Sequence, residues 1–181
     1  MNKPALVIVC GRPGSGKTTL ARKVSRETRC PLISRDELKE GYINTTGKEH
    51  AVITQEENKG IYDLFFRTME LLLDNNITTV VESAFQYKLW FPKYETLARK
   101  ARIKIIVCKI DAQLANKRFL DRKYSDPLRD YFHGDNPELI VNENYTYTPP
   151  DFPVPAMEVD TTAEYKPGLS EIVSFIKEPS Q

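Results

Sequence analysis

Near the start of the chain, Gly11, Gly16, Lys17 and Thr18 fall in the order G-x-x-x-x-G-K-T, inside the stretch GRPGSGKTT. That order suits a polyphosphate. Glycine lets the backbone turn sharply and approach anionic oxygens with no Cβ in the way. Successive N–H groups then converge on the anion at the positive end of the helix that follows. Pro13, Gly14, Ser15 and Thr19 complete the loop expected to wrap the nucleotide. Lys17 is expected to reach the β- and γ-phosphates, and the Thr18 hydroxyl to ligate Mg²⁺. The chain holds no N-K-x-D guanine motif, so ATP is the expected nucleotide.

A phosphate-binding loop is shared by switches, motors and kinases, so other residues must say which reaction follows. Asp36 stands in SRDEL, just after a short apolar run. At the rim of a sheet it could take the proton from a hydroxyl attacking the γ-phosphoryl. An aspartate at a helix start could equally be an N-cap without chemistry. Glu82 ends the run VVE, where an acid could hold Mg²⁺ through water or simply meet a basic neighbour. In DAQLANKRFLDRK, Lys117, Arg118 and Arg122 lie on an expected helix. Arg118 and Arg122 are four apart and so are expected on one side, as a clamp on phosphates or as a solvated basic face. His133 follows in an expected loop.

The string GRPGSGKTTLARKV followed by ISRDELK resembles the small P-loop kinases of the AAA_33-like family, of polynucleotide 5′-kinase and zeta-toxin type. The resemblance spans roughly residues 5–125. It implies a general-base role for Asp36, and lid arginines on the helix after the fourth strand, with Arg118 the better match. It implies Mg²⁺-dependent transfer of the ATP γ-phosphoryl to a hydroxyl on a small molecule or a nucleic-acid 5′ end. In the polynucleotide kinases an arginine stands three residues after the base, where this chain has Lys39. A nucleotide-dependent switch or ATPase working through a protein partner is the alternative, as is a toxin-like nucleotide-sugar kinase. Arg35, Lys39, Tyr42, Phe85, Gln86, Tyr87 and Trp90 are candidates for an acceptor pocket, or ordinary core and surface.

These residues need elements to hold them. Ala5 to Cys10, Pro31 to Ser34, Ile77 to Val81, Ile103 to Ile110 and Met157 to Asp160 read as strands. Helical patterns cover Lys17 to Thr28, a segment from Asp36, Thr54 to Asp74, Leu89 to Arg102, Ala112 to Lys123 and Leu169 to Lys177. Residues 125–155 read as irregular, and residues 40–60 as a possible flap. Alternating strands and helices predict an α/β three-layer sandwich: a parallel sheet of about five strands, helices on both faces and a basic lid near 112–135. Residues 1–181 read as a single domain.

The formal net charge of +1 points to no polyanion, but the distribution is uneven. Residues 130–181 hold 2 basic and 10 acidic side chains, leaving 24 basic and 15 acidic residues before them. Positive charge therefore gathers with the phosphate-binding motif. Three cysteines without a CxxC pair suit a reduced, cytoplasmic protein. No apolar run approaches the length of a membrane span.

Overall fold

The computed structural model describes residues 3–134 and 147–178. Five strands form one parallel sheet in the order β2-β3-β1-β4-β5. They are β1 (Ala5–Gly11), β2 (Leu32–Ser34), β3 (Thr79–Glu82), β4 (Arg102–Lys109) and β5 (Ala156–Asp160). The central strand β1 is buried along its whole length because both its faces are covered. Leu6, Ile8 and Cys10 face one core, and Ala5, Val7 and Val9 face the other.

The first core is closed by α3 (Gln55–Asp74) and α4 (Tyr87–Lys100). Phe65, Phe66, Met69 and Leu73 of α3 meet Trp90 and Leu97 of α4. Trp90 stands edge-on to Phe65 and Phe66, with centroids 6.0 and 5.1 Å away. Each such pair adds about 0.5–1.5 kcal/mol beyond area burial. The second core is closed by α1 (Lys17–Thr28), through Leu20, Ala21 and Val24, and by α7 (Leu169–Lys177), through Ile172 and Ile176. The fold is therefore the expected three-layer P-loop NTPase sandwich. Among the described residues no helix is long and apolar enough to cross a membrane.

Several boundaries differ from the sequence reading. The strand expected at Ile77 to Val81 runs from Thr79 to Glu82, because Asn76 takes a left-handed turn (φ 58°) and Ile77 and Thr78 serve as connection. The helix expected from Leu89 begins at Tyr87, so Pro92 lies inside it. Pro92 lacks the N–H that would bond the Lys88 carbonyl, at a cost local to one turn. Between α2 (Arg35–Thr46) and α3, a short 3-10 turn occupies His50–Val52. Thr54 begins α3 with a capping box to Glu57, a device that contributes about 1 kcal/mol. Helix α5 (Ala112–Ser125) is followed by the short α6 (Arg129–Phe132) in the stretch expected to be irregular. Residue 135 of the expected lid, and residues 136–146 of that stretch, lie outside the described residues.

Candidate active site

The loop from Gly11 to Thr18 joins β1 to α1 at the carboxyl edge of the sheet. Such an edge is where ligands enter open α/β folds. Gly14 has φ 77°, and a Cβ there would lie 2.0 Å from the Ala115 carbonyl oxygen. Helix α5 therefore presses directly on the loop, and only glycine leaves room for it. Gly16, also at φ 77°, caps α1. The Thr161 hydroxyl lies 2.7 Å from the Ser15 carbonyl and 3.0 Å from the Lys109 carbonyl, so it can donate to either. The residue after β5 thus braces the loop from below. Cys10 and Cys108 sit behind the loop. Burial pushes their thiols up to about 11 and about 12, so both stay protonated and act as small apolar groups.

Lys17 is almost buried, and its Nζ lies 3.8 Å from Glu82 Oε1. Glu82 is 1% exposed at the end of β3. Ser34 donates to its Oε2 at 3.0 Å, while Oε1 has no hydrogen-bond partner among the described residues. Burial raises the Glu82 carboxyl above its ordinary value. Lys17 pulls it down, Asp36 pushes it up, and the hydroxyls of Ser34 and Thr18 pull it down in part. A buried carboxylate oxygen without a hydrogen bond is costly unless a cation or donor completes it. The pairing of that oxygen with the nearby Thr18 hydroxyl is the donor set of a hard, oxygen-seeking cation such as Mg²⁺.

Ser34, not Asp36, caps α2: its side chain accepts from the Glu37 N–H at 3.5 Å. The helix begins one residue earlier than the sequence reading placed it, so Asp36 falls in the first turn. Its carboxylate is left to face the cleft. It shares a cavity of about 240 Å³ with Lys17, Phe119, Arg122, Arg129 and His133. Burial alone would raise the Asp36 carboxyl. The charges of Lys17, Arg35 and His133, with a hydrogen bond from Arg35 at 3.3 Å, outweigh burial and hold it below the ordinary carboxylate value. Asp36 is thus ionised at neutral pH.

Arg118 and Arg122 do not share a side. Arg118 donates to the carbonyls of Thr161 and Thr162 at 3.0 and 2.6 Å. It lines a separate cavity of about 420 Å³ with Gly16, Thr19, Lys23 and Tyr165. Arg122 turns into the Asp36 cleft instead. Four residues advance a helix by about 400°, so the two long side chains start some 40° apart, and the carbonyls of Thr161 and Thr162 hold Arg118 away from Arg122. Lys117 does not appear among the residues lining either cavity.

Among the acceptor candidates, Trp90 and Phe85 belong to the core. Tyr42 donates to Glu57 at 2.6 Å. Tyr87 is half-exposed and stacks on Phe91. Arg35, Lys39 and Gln86 line the Asp36 cleft. Sequence reasoning missed Thr161, Lys23 and Tyr165. Thr161 had a signal, since it directly follows the last strand in VDTT.

The AAA_33 family model, described as an AAA domain, matches residues 6–134. The chain belongs to the AAA_33 family. No curated protein matches the sequence. Among solved structures, a candidate kinase from Chloroflexus aurantiacus J-10-fl is 25% identical, with 97% of this chain and 98% of that one covered and a TM-score of 0.83. An APS kinase from Mycobacterium tuberculosis, solved with AMPPNP and APS, is 14% identical with a TM-score of 0.66, covering 98% and 100%. A gluconokinase from Sinorhizobium meliloti 1021 is 18% identical with a TM-score of 0.57, covering 97% and 91%. This AAA_33 chain therefore has the fold of small P-loop kinases, and kinase-type, nucleotide-dependent chemistry is the general class it fits.

Proposed function

We propose that this AAA_33 protein transfers the γ-phosphoryl of ATP to a hydroxyl acceptor, with Asp36 as general base. The observation that carries this reading is the cleft in which an ionised, uncapped Asp36 shares one cavity with Lys17 and Arg122. A base, a phosphate-binding cation and a lid guanidinium on one small volume are what in-line transfer to an alcohol requires.

The acceptor oxygen bonds to the γ-phosphorus as the bond to the β–γ bridging oxygen breaks. ADP carries away the electron pair, and the hydroxyl proton passes to the Asp36 carboxylate. Lys17 and Arg122 neutralise charge on the transferring group. Mg²⁺, held by Thr18 and Oε1 of Glu82, would supply charge stabilisation on the phosphate oxygens. Helices α5 and α6 line the cleft through Phe119, Arg122 and Arg129, and their closing over bound substrates would limit hydrolysis. The cavity of Gly16, Thr19, Lys23, Arg118 and Tyr165 takes the nucleoside end of ATP, with Arg118 and Tyr165 as flat partners for the base.

The two arginines then act on different constants. Arg118→Ala should raise the KM for ATP about tenfold with little change in kcat, as expected for uniform binding. Arg122→Ala should lower kcat by about 10²-fold, as expected for charge stabilised in the transition state. Steady-state kinetics in ATP checks both, and equal kcat losses in the two variants would refute the division of roles.

The function itself is tested by ADP formation with Mg²⁺ against a panel of nucleosides, mononucleotides, 5′-hydroxyl oligonucleotides and sugars. One acceptor class should stimulate ADP formation well above the rate without acceptor. A rate insensitive to every acceptor, but raised by a protein partner, would favour the switch or ATPase reading.

A further inference from the structure

Beside the Asp36 cleft lies a larger cavity of about 480 Å³, walled by α3 and α4 and floored by α2. It opens into the cleft, because Arg35, Lys39, His50, Tyr62 and Gln86 line both. Its charge is strongly one-sided. Arg35, Lys39, Lys59, Lys88 and Lys93 line it together with His50, against Asp63 as the single carboxylate.

The floor is built rather than incidental. Lys39 is 3% exposed and is hydrogen-bonded to the His50 ring. Arg35 is fixed by a hydrogen bond to Asn58 and by stacking over the Tyr62 ring at 4.4 Å, and its Nε is buried without a hydrogen-bond partner among the described residues. At the rim, none of Lys59, Lys88 and Lys93 makes a salt bridge among the described residues, whereas Lys48, between α2 and α3, and Lys100, at the end of α4, do. Phe66, Leu89 and Pro92 supply an apolar wall. Several ammonium groups converging on one pocket repel one another, and a bound anion relieves that repulsion. The volume fits one small molecule, in the usual range of metabolite pockets.

Building on the kinase reading, we infer that the acceptor is a small hydroxyl compound that already carries a phosphate-class anion, held in this α2–α3–α4 cavity by Lys59, Lys88 and Lys93. The anion anchors one end and the apolar wall packs the body. The free hydroxyl then reaches through the shared mouth to Asp36.

Two measurements test this. The first compares γ-label transfer to matched pairs: nucleosides against their 3′-monophosphates, and sugars against sugar phosphates retaining a free primary hydroxyl. The anionic member of the productive pair should have a kcat/KM at least about tenfold higher, the scale of one charge-assisted contact. In Lys59→Gln/Lys88→Gln protein, KM for that member should rise about tenfold while kcat changes little, and added salt should raise it further. Equal use of neutral and anionic members, or a KM unmoved in the double variant, would overturn the inference while leaving the kinase reading intact. Transfer to oligonucleotides but to no mononucleotide or sugar phosphate would also overturn it.

The second measurement is titration of inorganic phosphate and a nucleoside 3′-monophosphate by calorimetry with the P-loop filled by a non-hydrolysable ATP analogue. Binding that is lost in the double variant supports the subsite even if no transfer is seen, a result that would count against the kinase reading alone. Unchanged binding in the double variant contradicts the subsite.

Discussion

Lys17→Ala should abolish phosphoryl transfer, with a fall in kcat/KM for ATP of at least about 10³-fold. The reason is its position. Lys17 is nearly buried at the base of the cleft, with Glu82 Oε1 at 3.8 Å as its near carboxylate. A cation so placed needs no reorganisation when charge develops on the transferring group, which is where electrostatic preorganisation acts most strongly. The change also strips Glu82 of the main charge that lowers its pKa. Glu82 in Lys17→Ala protein should therefore hold its proton to higher pH, and excess Mg²⁺ should not restore the lost rate. Single-turnover measurements across Mg²⁺ concentrations check this. A variant retaining a tenth of wild-type turnover would contradict the role given to the loop.

Asp36→Asn should lower transfer to the acceptor by about 10²–10⁴-fold, the range of a positioned general base. Nucleotide affinity should hold or rise slightly, since a negative charge leaves a site that binds polyphosphate. The pH profile carries a second signature. The folded Asp36 carboxyl is held below its ordinary value of 3.8, so it stays ionised as pH falls from neutrality into the mildly acidic range. The rate should therefore show no acid limb from Asp36 between about pH 5 and 7. The same sign governs stability. A depressed carboxyl favours the folded state above the unfolded pKa, and that contribution is lost as pH falls through the folded value. Asp36→Asn should thus be relatively less destabilised by acid than wild type. A variant with undiminished transfer would return Asp36 to a structural role.

The fold was legible because its signals were local and redundant. Ala5 to Gly11 is apolar, ends in glycine and precedes a helix with apolar residues at 20, 21 and 24. Strand, loop and helix each support the same placement, and the remaining strands follow the same alternation. One misplaced end had a local physical cause: a left-handed Asn76 delayed the start of β3 to Thr79.

The site was legible on its donor side only. Lys17 and Thr18 open α1 straight after the loop that leaves β1, Asp36 stands two residues past β2 and Glu82 ends β3, so chain order predicted their convergence. The divergence of Arg118 from Arg122 was hidden, because Arg118 is held by the Thr161 and Thr162 carbonyls, 43 and 44 positions further along the chain. The basic cavity was hidden for a related reason. Its side chains come from three helices, with Arg35 and Lys93 at its extremes in sequence, and no spacing rule links them. Lys59 and Lys88 look like ordinary solvated lysines until α3 and α4 bring them to one mouth. Ser34 shows the same limit at short range. Asp36 was the candidate cap of α2, and only the backbone shows that Ser34, two residues earlier, takes that place.

The central claim is that this AAA_33 protein moves the γ-phosphoryl onto a hydroxyl through Asp36. The most direct measurement follows γ-labelled ATP with Mg²⁺ and the stimulating acceptor, in wild type and Asp36→Asn, and separates labelled acceptor from free phosphate. The expected result is label on the acceptor in wild type, and loss of that product in the variant with ATP still bound. Label found only in free phosphate, in equal amount in both proteins, would contradict the account.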